Sequence, residues 1–188
     1  MFLGMSEILK MITDGVEVQG NVVPLIENAA QDQIDKPEGT VWDVRLDEIH
    51  VMGGSPELLL DSRTTCKPDR TATYRIIDGR TIYTLDPGVT YMVTTMEKIN
   101  TPDNILPIIT RRTSMFRSGI IMQMGFVAPG YVGKLAFTMY NTLMRPIQIE
   151  HGFRIASLAF GQIEGSTVLY DGVWQDNKQF VSSGERPH

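Results

Sequence analysis

From Val41 onward the chain is a succession of short β-type runs, each closed by turn-forming residues. The runs are Val41–Leu46, Glu57–Asp61, Thr71–Ile77, Thr81–Leu85, Thr90–Met96, Ile105–Thr110, Lys134–Asn141, Pro146–Glu150, Ile155–Ile163 and Thr167–Leu169. Between them stand Gly53-Gly54, Asp78-Gly79, Asp86-Pro87-Gly88, Thr101-Pro102-Asp103 and Ala128-Pro129-Gly130. Asp78-Gly79 lies between Ile76-Ile77 and Arg80-Thr81-Ile82, the residue pair expected of a two-residue hairpin. Many short strands punctuated this often indicate a sandwich or barrel. The fold class expected is mostly β, with helix confined to the start of the chain.

That start reads as a short helix over Ser6–Thr13. Ser6 is placed to cap it, Ile8, Leu9 and Ile12 share one face, and Asp14-Gly15 ends it. Val16, Val18 and Val22-Val23 read as strand, and 28–39 as a polar, turn-rich connection. No linker, repeat or low-complexity tract divides the 188 residues, so one domain is expected, with a helical segment at 1–15 and a tail at 165–188. No apolar run approaches the roughly 18 residues of a membrane span. The N-terminus lacks the basic-then-apolar order of a secretory signal. A single Cys66 and three scattered histidines argue against a disulfide framework, a cysteine zinc cluster or any other transition-metal site. The expected setting is cytoplasmic and reducing. With 17 basic against 22 acidic residues the net charge is −5, so nucleic acid and anionic membrane are not expected partners.

The densest polar stretch is Arg111-Arg112-Thr113-Ser114-Met115-Phe116-Arg117-Ser118-Gly119. Guanidinium forks match phosphate oxygens, and hydroxyls with glycine-exposed N–H groups can complete an anion cradle. A solvated charged turn has the same composition. Next, Pro129-Gly130-Tyr131-Val132-Gly133 opens an alternating strand, placing Tyr131 beside a bend where it could stack on a flat ring or pack the hairpin. Met115, Met122, Met124, Met139 and Met144 fit adaptable core filling or a methionine-lined subunit interface. His50 and His151 have no ligand spacing and read as packing residues, as do Trp42 on a strand and Trp174 in the tail. Cys66 reads as an ordinary thiol.

The order and spacing of these blocks resemble the dCTP deaminase family of the dUTPase superfamily. Val41-Trp42-Asp43-Val44-Arg45-Leu46 is similar to its first motif. Leu85-Asp86-Pro87-Gly88 with Thr95-Met96-Glu97 and Pro102 follow its next pattern. Arg112 to Gly119 resembles its Arg-Ser-Ser-x-x-Arg-x-Gly signature, with Thr113 for the first serine. Pro129 to Gly133, Tyr140-Asn141 and Gly152-Phe153-Arg154-Ile155 resemble the later blocks, with His151 where a proline is usual. The resemblance covers nearly the whole chain.

It implies a distorted jelly roll of the trimeric dUTPase type, with nucleotide sites between subunits of a homotrimer. It further implies a deoxypyrimidine triphosphate as ligand, with Mg²⁺ held through the phosphates and no zinc. By position, Arg112, Thr113, Ser114 and Arg117 would grip phosphates. Tyr131 and Leu135 would border base and sugar, and Tyr170 and Lys178 would close from the tail. Two positions depart from the pattern. The family's proton-shuttling glutamate falls on Thr138, and the superfamily's water-orienting aspartate falls on Ala128. Phe126 stands where the deaminases commonly carry arginine, and Ser182-Ser183 where the tail's glutamine would be. Neither a threonine hydroxyl nor a methyl can act as general base near neutral pH. Asp43, Glu97 and Glu150 are the carboxylates that could substitute, the first two expected to bond the scaffold and Glu150 to be solvated. Three readings follow: an enzyme deaminating dCTP or cleaving dUTP, a silent homologue that binds nucleotide for regulation, or a structural trimer serving a larger assembly.

Overall fold

Alternation is clearest in the strand that follows the Pro-Gly turn. Gly133, Leu135, Phe137, Met139 and Asn141 are buried, while Ala136 and Tyr140 between them are exposed. Period-two burial of this kind makes a strand with one face on a core.

The computed structural model describes residues 1–172, 174 and 175. Its elements in chain order are α1 (Met5–Thr13), β1 (Val16–Val18), β2 (Asn21–Val23), β3 (Ile26–Glu27), α2 (Gln31–Asp35), β4 (Trp42–Gly53), β5 (Glu57–Leu58), β6 (Arg63–Thr64) and β7 (Lys67–Thr71). They continue with β8 (Tyr74–Ile77), β9 (Arg80–Leu85), β10 (Thr90–Asn100), β11 (Ile105–Arg111), α3 (Thr113–Arg117), β12 (Ile120–Gln123), β13 (Val132–Asn141), β14 (Ile147–Glu150) and β15 (Arg154–Gln162). The main sheet runs β11-β15-β4-β10-β13-β12, with β3 added to β10 and β7 to β4. Past β12, Phe126 bridges back to Ile108 of β11, so the two edges of the sheet nearly meet in a barrel-like wall. A smaller sheet, β14-β9-β8, and the β1-β2 and β5-β6 hairpins complete the mostly β architecture.

Inside lie Trp42, Val44, Leu46, Tyr91, Ile99, Phe137, Leu158 and Phe160, with Ile8 and Ile12 of α1. Tying β10 to β4 at the level of Arg45 is one buried carboxylate. Register slips between Val93 and Thr95 against β4, and between Thr94 and Lys98 against β13. A bulge leaves amides without ladder acceptors. Here threonine hydroxyls supply them: Thr94 accepts the Glu48 N–H at 3.3 Å and Thr95 accepts the Leu135 N–H at 3.0 Å. Glu97, fully buried, accepts both the Arg45 N–H and the Arg45 Nε–H at 2.7 Å.

Several expectations hold and several are corrected. The Asp78-Gly79 hairpin forms with both residues at positive φ and pairs Ile77 with Arg80. The N-terminal helix begins at Met5, and the Gly4 carbonyl accepts the first N–H groups, so Ser6 lies inside it and caps nothing. β4 runs on to Gly53 because a phase change lets Ile49 replace the even positions as the buried residue. The 28–39 stretch contains α2, and β12 was not expected. Residues 167–169 form no strand. Met115, Met122 and Met139 fill core, Met124 is half-buried, and Met144 is fully outside.

Burial, opposed by the bonds from Arg45, holds the Glu97 carboxyl above its ordinary value of 4.5. The folded state therefore binds this proton more tightly than the unfolded chain. The associated stabilisation is complete below about pH 4.5 and is lost as pH rises through the folded value. In urea denaturation the wild type should lose stability relative to Glu97→Gln across that window. A difference between the two proteins that does not change with pH would contradict this.

Candidate functional site

The phosphate-type motif starts at the end of β11, where Arg112 leaves the sheet and its N–H bonds the Ile155 carbonyl. α3 follows as a single turn. Met115 drives it, because this side chain is buried while Thr113, Ser114, Phe116 and Arg117 face outward. The turn stops at Gly119, at φ +74, where an added Cβ would lie 2.6 Å from the Leu143 side chain.

Arg112 is not a free cation. Its Nη1 pairs with Asp43 Oδ2, while Asp43 Oδ1 accepts the Ser157 hydroxyl at 2.6 Å. Arg154 reaches the same carboxylate at 3.8 Å and pairs with Asp32. Asp43 is in turn fixed through its backbone, since the Gln33 carboxamide takes both its N–H and its carbonyl, at 3.0 and 2.9 Å. Arg112, Thr113, Ser114, Arg154, Ser157 and Asp43 line one cavity of about 440 Å³. Arg117 lies on the exposed side of α3, outside that lining.

The second grouping is built on the Pro129-Gly130 turn. Thr101 zips it in place: the Gly130 N–H donates to the Thr101 carbonyl and the Thr101 N–H to the Tyr131 carbonyl, each at 2.9 Å. Tyr131 packs the bend. Its hydroxyl turns back onto the Lys134 carbonyl at 2.6 Å, and its ring meets Tyr170 edge-on at 5.7 Å. The tail reaches this turn through Tyr170 N–H to Pro129 O at 2.8 Å. Burial raises the Tyr170 hydroxyl above its ordinary value, so it stays protonated at neutral pH. Trp174 follows, half-buried, with Gln175 bonded to the turn.

Around these residues opens a cavity of about 560 Å³, lined by Met92, Gln123, Phe126, Ala128, Tyr131, Leu135, Tyr170 and Trp174 among others. Its lining among the described residues contains no Asp, Glu, His, Lys, Arg or Cys. Thr138 sits on the outward face of β13, in register with Met92 on one side and Gln123 on the other. Tyr131, Leu135, Ala128 and Tyr170 thus share one cavity, and Arg112, Thr113 and Ser114 share another. The two linings have no residue in common. Lys178 and Ser182-Ser183 lie outside the described residues.

The three carboxylates that could have replaced a missing base are all engaged elsewhere. Asp43 holds Arg112, and Glu97 holds Arg45. Glu150, at the solvent-exposed surface, bonds Arg80 across the β9-β14 pair. His50 pairs with Glu48 and His151 with Asp47, which also binds Lys134. Sequence reasoning missed Gln19, whose Nε2–H donates to the Gly130 carbonyl at 3.2 Å, and Gln175. The Gln19-Gly20 pair signals a turn, but no local pattern announces a contact with a residue 111 positions away.

A nearly closed antiparallel wall thus carries an arginine-hydroxyl cavity and an aromatic-lined one. A family model described as dCTP deaminase-like matches residues 3–163, and the chain belongs to that family. The dCTP deaminase of Thermococcus kodakarensis is 30% identical over 101 residues, covering 53% of this chain and 65% of that protein. The dUMP-forming dCTP deaminase of a Sulfurihydrogenibium species is 28% identical over 163 residues, covering 78% of this chain and 89% of that one. Across the archaeal relatives matched first, this chain spans 60 to 65% of their length. The crystal structure of the 2'-deoxycytidine 5'-triphosphate deaminase from Agrobacterium tumefaciens superposes with a TM-score of 0.61 at 16% identity, over 86% of this chain and 48% of that one, and so shares its fold.

Gly130 sits at φ +81, and a Cβ there would lie 2.9 Å from Leu169 Cβ and 3.2 Å from the Tyr170 nitrogen. Gly20 has a similar φ of +78 but open space around it. Gly20→Ala should cost about 1 kcal/mol of backbone strain, and Gly130→Ala about 2–3 kcal/mol because tail packing is lost as well. Thermal denaturation of the two variants gives the comparison, and equal losses would show that the tail does not press on the turn.

Proposed function

We propose that this protein binds a deoxypyrimidine triphosphate without turning it over, as a regulatory or sequestering member of its family. The observation that carries this reading is the chemistry of the aromatic-lined cavity. It offers a flat, mostly apolar space beside Tyr131 and Leu135, yet its described lining holds no group that titrates near neutral pH. Thr138 and Ala128 stand where the resemblance places general base and water-orienting carboxylate. General acid–base assistance is worth about 10²–10⁴-fold, so its loss leaves binding as the property to be kept.

The phosphate half is the Arg112, Thr113, Ser114 and Arg117 group. Arg112 already neutralises Asp43, so Arg117 and the two hydroxyls are the groups open to an incoming anion. Two cavities without a common lining residue are what a site shared between copies of the chain requires, one copy giving the phosphate group and its neighbour the base pocket. This supports the homotrimer implied by the resemblance. Mg²⁺ would enter with the triphosphate. The described residues contain no cluster of three or more His, Cys, Asp or Glu side chains that could hold an ion by themselves. They also contain no helix long and apolar enough to cross a membrane.

Calorimetric titration with dCTP and dUTP in the presence of Mg²⁺ should show binding, and the same mixtures should yield no product above a buffer blank. Arg117→Ala should weaken affinity about 10-fold or more, as expected for one lost charge-assisted contact, without lowering the melting temperature. Turnover by the wild type would overturn the silent reading in favour of an active deaminase or diphosphatase. Unchanged affinity in Arg117→Ala would remove that residue from the phosphate site. Light scattering at the mass of a monomer would remove the shared site.

A further inference from the structure

The carboxamide of Gln175 makes a two-pronged contact with the Pro-Gly turn. Its Nε2–H donates to the Gly130 carbonyl at 2.8 Å, and its Oε1 accepts the Val132 N–H at 2.9 Å. Tyr131 lies between these two backbone groups, and its ring lines the aromatic cavity together with Tyr170 and Trp174. A carboxamide carries a donor and an acceptor on neighbouring heteroatoms of one plane. The edge of a pyrimidine carries the same pair, as N4 amino beside N3 in cytosine or N3–H beside a carbonyl in uracil.

We infer that Gln175 is an intramolecular stand-in for a pyrimidine edge, so that the turn is occupied by the protein's own tail and a ligand must displace it. This rests on the nucleotide-binding reading above for the identity of the ligand, though not for the contact itself. The tail is well placed for such exchange. Tyr170 anchors it to Pro129 through a bond separate from the two Gln175 contacts, so the anchor can stay when the Gln175 carboxamide leaves. Once Gln175 leaves, Gly130 still accepts from Gln19, and the vacated lone pair and the Val132 N–H point to the same ligand edge. Gln33 makes a comparable clamp on Asp43, but that residue is buried at 8% exposure, whereas Gln175 is half-buried and follows Trp174, which lines the aromatic cavity.

When the competent state is a fraction of the population, the apparent dissociation constant is the intrinsic one divided by that fraction. Removing two hydrogen bonds should therefore tighten binding of dCTP or dUTP roughly 5- to 30-fold in Gln175→Ala. Gln175→Glu, which cannot donate to the Gly130 carbonyl, should move affinity the same way. Exchange of the Val132 amide with solvent deuterium should quicken in Gln175→Ala. If wild type and variants bind nucleotide equally, the stand-in is wrong and Gln175 is a structural clamp, while the nucleotide reading survives. If none binds a triphosphate, that reading fails. Uracil alone then decides the stand-in. Titrated into the protein at millimolar concentration, it should shift the Val132 amide resonance more strongly in Gln175→Ala than in wild type, and an equal or absent shift overturns the inference.

Discussion

The break in register on both sides of β10 is the constraint on which the arrangement depends: β10 carries two extra residues against β13, between Thr94 and Lys98, and β4 carries one extra against β10, between Leu46 and Ile49. Such extra residues would leave amides unpaired within the wall of the barrel, at a cost of about 1–3 kcal/mol for each group. Thr94 and Thr95 accept those amides, and Glu97 fastens the bulge to Arg45 of β4. Beyond it the register of β13 resumes at Lys134, Gly133 and Val132, and this sets where the Pro-Gly turn and Tyr131 lie. The same strand pairs with β3 and, through the Asn100 N–H, with the Leu25 carbonyl, so the N-terminal segment is drawn against the wall. Asp43 and Arg45, one residue apart on β4, thus serve two separate tasks. One steadies the arginine motif and the other steadies the bulge.

Chemically, the two cavities differ: one is lined by arginines, hydroxyls and carboxylates, and the described lining of the other holds no Asp, Glu, His, Lys, Arg or Cys. Carboxylates are not scarce in the chain, but four of those near the family motifs are matched to cations: Asp43 to Arg112, Glu97 to Arg45, Glu150 to Arg80 and Asp47 to Lys134. A carboxylate whose oxygens are committed to an arginine or lysine is not free to orient a water or pass a proton. The aromatic cavity meanwhile is closed by apolar and amide groups.

Much of this was legible beforehand. Strand period, the Asp78-Gly79 hairpin and the burial of alternate residues in β13 follow from local chemistry, and so did the ordered motifs that place the chain in its family. The arginine motif has the composition of an anion cradle or of a charged turn, and it folds as a one-turn helix anchored by Met115, a residue whose type alone permits core or surface. β4 was cut short at Leu46 because its phase change looks like the end of a strand. The 167–169 run has strand composition but finds no partner strand. It packs on Gly130 instead, where Leu169 fills the space left by a missing Cβ.

By itself, the sequence determined that this chain is mostly β and belongs to the dCTP deaminase-like family. Those facts depend on residue type and order, which need no partner. Only the tertiary structure decided which polar groups remain available. It paired Arg112 with Asp43, split the expected site residues between two cavities, and brought Gln19 and Gln175 to one carbonyl from opposite ends of the chain. Hydrogen-bond capacity is fixed by residue type, but its satisfaction depends on neighbours distant in sequence, and folding alone assigns those neighbours.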